Sequence, residues 1–261
     1  MAVPRGIKAI LKRTAPCKLT GHGKWRGFQL VDRERKPVGN RFKGLTKVLE
    51  RHVFSDGQLP SSAVYGDVHR GGWKGKGGGR RRGKAVDAQL SRAISKGKIL
   101  PQKGQYKLTQ LVLASLKAYF LTPIASQRAV CNKDAFVGTA IDILCYRDDI
   151  ESLVVVELKC GCSGNRKDAA NLRDGTKCHL KGTFHRAKDC VLNRHLAQLA
   201  LTREMFASEQ KTLSDLGALG VQNDVDAALL YVDDAKVSMY PLSAWWRQRA
   251  PRALKALSEC R

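Results

Sequence analysis

Leu153-Val154-Val155-Val156-Glu157-Leu158-Lys159-Cys160-Gly161 decides how this chain folds. Four apolar, mostly β-branched residues in a row describe a strand covered on both faces, since a half-exposed strand would alternate. The run passes directly into Glu157 and Lys159. Strand side chains alternate, so these two project from one face, where a carboxylate needs a partner or a cation. Just upstream, within Gly138–Tyr146, Asp142 interrupts the apolar residues Ala140, Ile141, Ile143 and Leu144 in the same way. A turn at Arg147-Asp148-Asp149 joins the two segments, and two acids and one lysine are expected to converge.

Carboxylates hold hard divalent cations, cations polarise a phosphate and its attacking water, and a lysine offsets developing charge, so the set suits phosphodiester hydrolysis. A structural ion pair at the end of a sheet uses the same residue types. The order of acid in one apolar strand, turn, then acid-x-lysine in the next resembles the PD-(D/E)xK nuclease superfamily. Asp142 and Glu157-Leu158-Lys159 stand at its two central motifs, although no proline precedes Asp142. The resemblance implies an α/β, restriction-endonuclease-like core: a central mixed sheet flanked by helices, over about Lys84–Leu242. It also implies Mg²⁺, with Mn²⁺ as the alternative, held by Asp142, Glu157 and the Leu158 carbonyl, and Lys159 serving the attacking water.

The formal net charge of +24 points to a polyanionic partner, most economically nucleic acid. Residues 1–84 hold 21 Lys and Arg against 5 Asp and Glu, so the excess concentrates in the first third. A basic, partly flexible extension over residues 1–83 is therefore expected ahead of a nuclease-like domain over 84–261. Within it, Pro4–Phe28 sets Trp25 and Phe28 among cations, which suits base stacking or an unfolded basic arm equally. Phe42–Phe54 has helical apolar spacing. Gly71–Gly83 is a low-complexity basic stretch, either a solvated linker or a loop that wraps a strand through Trp73, Lys74, Lys76, Arg80, Arg81 and Arg82.

Helices are predicted over Lys84–Lys96 and Leu108–Phe120, with Pro123 beyond the second. Asp87 lies on the first, where the superfamily commonly places an acid; acids also favour a helix's first turn. Strands follow over Ile124–Cys131, Phe136–Tyr146 and Ser152–Lys159. A helix over Arg186–Ala207 carries His195 and Gln198 beside its apolar residues, either as satisfied core polar groups or with a task. Gln198 resembles the supporting glutamine of lambda-exonuclease-like and RecB-like branches; Thr202 stands where a tyrosine often follows. A hairpin over Asp226–Val232 and Lys236–Leu242 and a terminal helix complete the pattern.

No apolar run is long enough to span a membrane, and no apolar signal segment follows the start. Eight cysteines scattered among predicted elements read as reduced thiols of the nucleus or cytoplasm. Cys160-x-Cys162 is one residue short of zinc-knuckle spacing, so neither structural zinc nor an iron–sulfur cluster is expected. Gly77-Gly78-Gly79 lacks a Gly-Lys-Ser/Thr ending, so no ATP-driven motor is expected. The expectation is a metal-dependent deoxyribonuclease, an exonuclease of recombination or repair in a large DNA virus or mobile element. The rival is a non-catalytic nucleic-acid-binding or packaging protein, bound to RNA or DNA.

Overall fold

The computed structural model describes residues 3–21, 27–55, 78–96, 106–160, 175–232 and 237–260. The first part of the chain forms α1 (Ile7–Thr14), β1 (Cys17–Thr20), β2 (Gly27–Val31), β3 (Pro37–Gly44) and α2 (Leu45–His52). Next come α3 (Gly78–Lys96), α4 (Lys107–Ala118), β4 (Leu121–Asn132), β5 (Val137–Arg147) and β6 (Ser152–Cys160). The last part holds β7 (Gly175–His179), a 3₁₀ turn (Gly182–Phe184), β8 (Lys188–Cys190), α5 (Val191–Ala207), α6 (Gln210–Gly217), β9 (Val225–Val232), β10 (Val237–Pro241) and α7 (Ala244–Glu259). No helix among the described residues is long and apolar enough to cross a membrane.

The architecture is α/β, a mixed eight-stranded sheet flanked by helices. Its order is β1-β2-β3-β5-β6-β9-β10, with β4 also paired to β5. β6 explains the central position of its sequence. Leu153 and Val155 enter a core shared with α1, α2, α5, α6 and α7, while Val154, Val156 and Leu158 enter a second core with α3 and α4. Each fully buried aliphatic side chain contributes about 1.5–3 kcal/mol, so a strand buried on both faces anchors both layers. β6 runs antiparallel to β5 and parallel to β9, as an element enclosed between helices commonly does.

Several elements depart from expectation. The chain before residue 83 is built into the sheet: β3 pairs in parallel with β5 through Lys43–Val137 and Gly44–Gly138. Ile7, Leu11, Leu45 and Leu49 are buried in the main core, and the boundary expected at residue 83 falls inside α3. Gly138 shows how tightly the two parts meet, because an added Cβ would lie 2.7 Å from Phe28 Cβ. The helix expected from Lys84 begins at Gly78, so Arg80–Arg82 lie within it; arginine is a good helix former, and Val86, Leu90 and Ile94 anchor the buried side. The helix expected from Arg186 begins at Val191, since Lys188–Cys190 pairs with β7 instead. The strand expected from Ile124 starts at Leu121 and carries Pro123 at a register shift, where a missing N–H is tolerated. Phe42–Gly44, expected to open a helix, completes β3.

Candidate active site

β5 and β6 pair from Ile143–Val156 to Arg147–Ser152, and the site forms where that ladder ends. Beyond it, one oxygen of Asp142 accepts the backbone N–H of Leu158 at 2.9 Å, a bond that ties the two strands at their divergence. Glu157 and Lys159 project together toward α5, as the alternation of β6 requires. Glu157 is 2% exposed. Its Oε1 accepts from Lys159 Nζ at 2.5 Å and from Gln198 Nε2 at 2.7 Å. Gln198 stands on α5 three residues after His195, whose Nδ1 is hydrogen-bonded to the hydroxyl of Tyr231 on β9. Tyr231 is the register partner of Lys159.

Asp87 completes the group from α3. Gln127 on β4 places its amide nitrogen 3.4 Å from Asp87 Oδ2 and 3.3 Å from Asp142 Oδ1, a long contact shared between two carboxylates. Gln127 has φ of 50°, a left-handed conformation that a residue with a Cβ adopts at a cost of about 1–3 kcal/mol. Such strain is held in place by the surrounding structure, and here it sets the amide between the two acids.

Among the described residues, electrostatics in the group are unbalanced, with three carboxylates facing one ammonium. Burial, then the charges of Glu157 and Asp87, push Asp142 well above the usual carboxylate range, although Lys159 and the Leu158 N–H oppose this. Burial and Glu157 raise Asp87 to about 6. Burial alone would lower Lys159, but Glu157, Asp142 and Asp87 together hold it above its ordinary value. His195 is pushed well below its usual value by burial, then by Lys159 and Arg194, so it is neutral near pH 7. Asp87 and Asp142, carboxylates that resist ionisation beside Glu157, have the donor chemistry of a hard-cation site.

The five residues expected to form the centre, Asp87, Asp142, Glu157, Lys159 and Gln198, are brought together. Among the described residues, no three His, Cys, Asp or Glu side chains are grouped so as to hold a metal ion by themselves. Asp142, Glu157 and the Leu158 carbonyl are a smaller set, of the kind that Mg²⁺ accepts when waters and substrate oxygens supply the remaining positions. Of the expected strand-binding residues, Trp73, Lys74 and Lys76 lie outside the described residues. Arg81 is exposed on α3, whereas Arg82 is 5% exposed, turned inward by the helix instead of displayed on a loop. Gln127 and Tyr231 were not legible beforehand. The sole trace of Gln127 is the polar run Ser126-Gln127-Arg128 inside an otherwise apolar strand.

No family model, curated protein or solved structure matches the chain.

Proposed function

We propose that the protein is a divalent-metal-dependent nuclease of the PD-(D/E)xK type that hydrolyses DNA phosphodiester bonds. The observation that carries this reading is the convergence of Asp87, Asp142, Glu157, Lys159 and Gln198 from two strands and two helices at one end of the sheet. A purely structural charge cluster would match its acids with cations, whereas among the described residues these three acids share one lysine.

Mg²⁺ or Mn²⁺ held by Asp142, Glu157 and the Leu158 carbonyl would polarise the phosphate and lower the pKa of the attacking water. The chain's own groups do the rest. Lys159, kept protonated by its acidic neighbours, donates hydrogen bonds to the water and offsets the charge that gathers on the phosphate oxygens. Gln198 fixes Glu157 from α5, so that the carboxylate keeps one orientation as Lys159 moves between it and the substrate. Gln127 holds Asp87 and Asp142 in register. Asp87, which shares the Gln127 amide with Asp142, supports the group from α3. The set is similar to that of lambda-exonuclease-like enzymes, and we infer an exonuclease of recombination or repair acting on DNA; the net charge of +24 favours a nucleic-acid partner.

The test is cleavage of end-labelled linear and closed circular DNA with Mg²⁺ or Mn²⁺, wild type beside Glu157→Ala. Cleavage of linear DNA alone, lost in the variant, is the expected result. Binding without cleavage of either DNA or RNA would overturn the reading in favour of a binding protein.

A further inference from the structure

Exposure rises across the acid group from Glu157 at 2%, through the half-buried Asp142 and Asp87, to the exposed Gln127. The site therefore opens toward β4. Gln127 also lines a hollow of about 510 Å³ bounded by α1, β1, the end of α3 and six consecutive residues of β4. Its walls carry Lys8, Lys12, Lys18, Arg35 and the buried Arg128, and no Asp or Glu. Buried Leu11, Ile94 and Ile124 add apolar surface.

Arg128 is paired with Glu209 at 2.6 Å, but the other four cations have no ion-pair partner among the described residues. Lys8 Nζ donates to the Ile94 carbonyl at 3.4 Å and Lys18 Nζ to the Arg35 carbonyl at 3.0 Å, while the Arg35 guanidinium donates to the Ala15 carbonyl. Arg13, on the same helix but outside the hollow, does pair with an acid, Asp215, at 3.1 Å. Four like charges kept around one concavity repel each other and concentrate positive potential there, which favours an anion between them. Lys8 and Lys12 stand one turn apart on α1, with Cβ atoms about 5–6 Å from one another, so the charges form a row and not a point. A row of cations beside an apolar wall matches a chain of phosphates with bases attached. The volume is that of a ligand pocket, suited to one strand and not to a duplex.

We propose that this hollow is a track for the phosphodiester backbone of a single DNA strand, which passes Gln127 to reach the acid group. The inference rests on the nuclease reading for the strand's destination, but binding in the track requires no cleavage.

The experiment measures binding of a short fluorescein-labelled DNA strand in EDTA, by anisotropy, over a range of salt. Lys12→Glu/Lys18→Glu is expected to weaken binding at least about tenfold and to flatten its salt dependence, because two phosphate contacts are lost. Lys211→Glu/Lys255→Glu, with the same change of net charge on exposed residues of α6 and α7, is expected to weaken it less than about threefold. Equal losses in the two pairs, or undiminished binding by the first, would overturn the track. Lysine acetylation of wild-type protein with and without the strand needs no variant. Protection of Lys12 and Lys18, with Lys211 unprotected, is expected, and unchanged reactivity of both would overturn the proposal. Wild type that cuts DNA while the Lys12/Lys18 variant binds normally sinks the track alone. Wild type that never cuts while that variant loses binding sinks the nuclease reading alone.

Discussion

Asp189 and Asp142 are both carboxylates drawn out of bulk water, yet their surroundings push them in opposite directions. Asp189, fully buried in β8 just before α5, receives Arg194 at 2.6 and 2.8 Å, the Ser55 N–H at 2.8 Å and the Ser55 hydroxyl. Burial would raise its pKa, but these donors hold it below the ordinary carboxylate value. Asp142 has one backbone N–H and a long amide contact, with Glu157 and Asp87 for company, and it is pushed up. The first arrangement pins the segment after α2 to the corner of β8 and α5. The second stores repulsion that only a proton, a lysine or a bound cation relieves, and this separates a site from a structural cluster.

The same substitution at the two positions should therefore give opposite results. Asp189→Asn leaves Arg194 without its counter-charge and should destabilise the fold by about 3 kcal/mol, read from urea unfolding. Asp142→Asn removes one repelling acid and should leave metal-free stability unchanged or slightly raised, while cleavage falls at least about a hundredfold. A loss of stability at both positions would make the acid group another structural cluster.

A metal titration sharpens the contrast by about as much. Mg²⁺ at roughly 100 times its dissociation constant should stabilise wild type by about 2.7 kcal/mol, seen as a rise in melting temperature. Asp142→Asn should abolish that rise and Asp189→Asn should keep it. Equal rises in wild type and Asp142→Asn would place the ion elsewhere.

What the sequence revealed, and what it hid, follows the same division. Glu157, Lys159 and Asp142 were legible because a charge inside an apolar strand is conspicuous, and Gln198 because it shares a helix face with apolar residues. The first three strands were not. β3 is exposed at most positions, and β1 to β3 sit among glycines and cations, so their pattern resembles a solvated arm. What folds them is long-range: Phe28 against Gly138, and the parallel pairing of Lys43 and Gly44 with β5. Arg194 likewise gave no sign that it would meet Asp189, because both lie in a segment whose helical start was misplaced by the pairing of β8 with β7.

pH offers a smaller test of the same comparison. Asp87 has a folded pKa raised from 3.8 to about 6, so its contribution to stability is fully present below about pH 4 and is lost as pH rises through 6. Asp189 has a depressed folded pKa, so its contribution is present above the unfolded value and is lost as pH falls through the folded one. In EDTA, Asp87→Asn should lessen the decline in stability between about pH 4 and 6 by on the order of 1–2 kcal/mol, the figure being reduced by screening at a half-buried group, and leave the part that Asp142 contributes. Mg²⁺ should remove the same decline in wild type. A decline undiminished in Asp87→Asn would assign it to other groups.

The smallest effect is the most specific. Gln127 combines a left-handed backbone with an amide shared by Asp87 and Asp142, so side chain and strain can be separated by one substitution. Glycine adopts φ of 50° freely, so Gln127→Gly should relieve about 1 kcal/mol of strain, offset in part by the greater entropy of the unfolded chain. Removal of the amide leaves Asp87 and Asp142 free to splay, and Mg²⁺ affinity, read by calorimetry, should fall roughly tenfold, as for groups that orient ligands. The rate of cleavage should recover at saturating Mg²⁺, because the amide positions carboxylates and touches no reacting atom. Gln127→Ala, which removes the amide but keeps the strain, should lose the same affinity and be the less stable of the two. Unchanged Mg²⁺ affinity in both variants would reduce Gln127 to a residue of the β4 edge and leave Asp142 to be held by the Leu158 N–H alone.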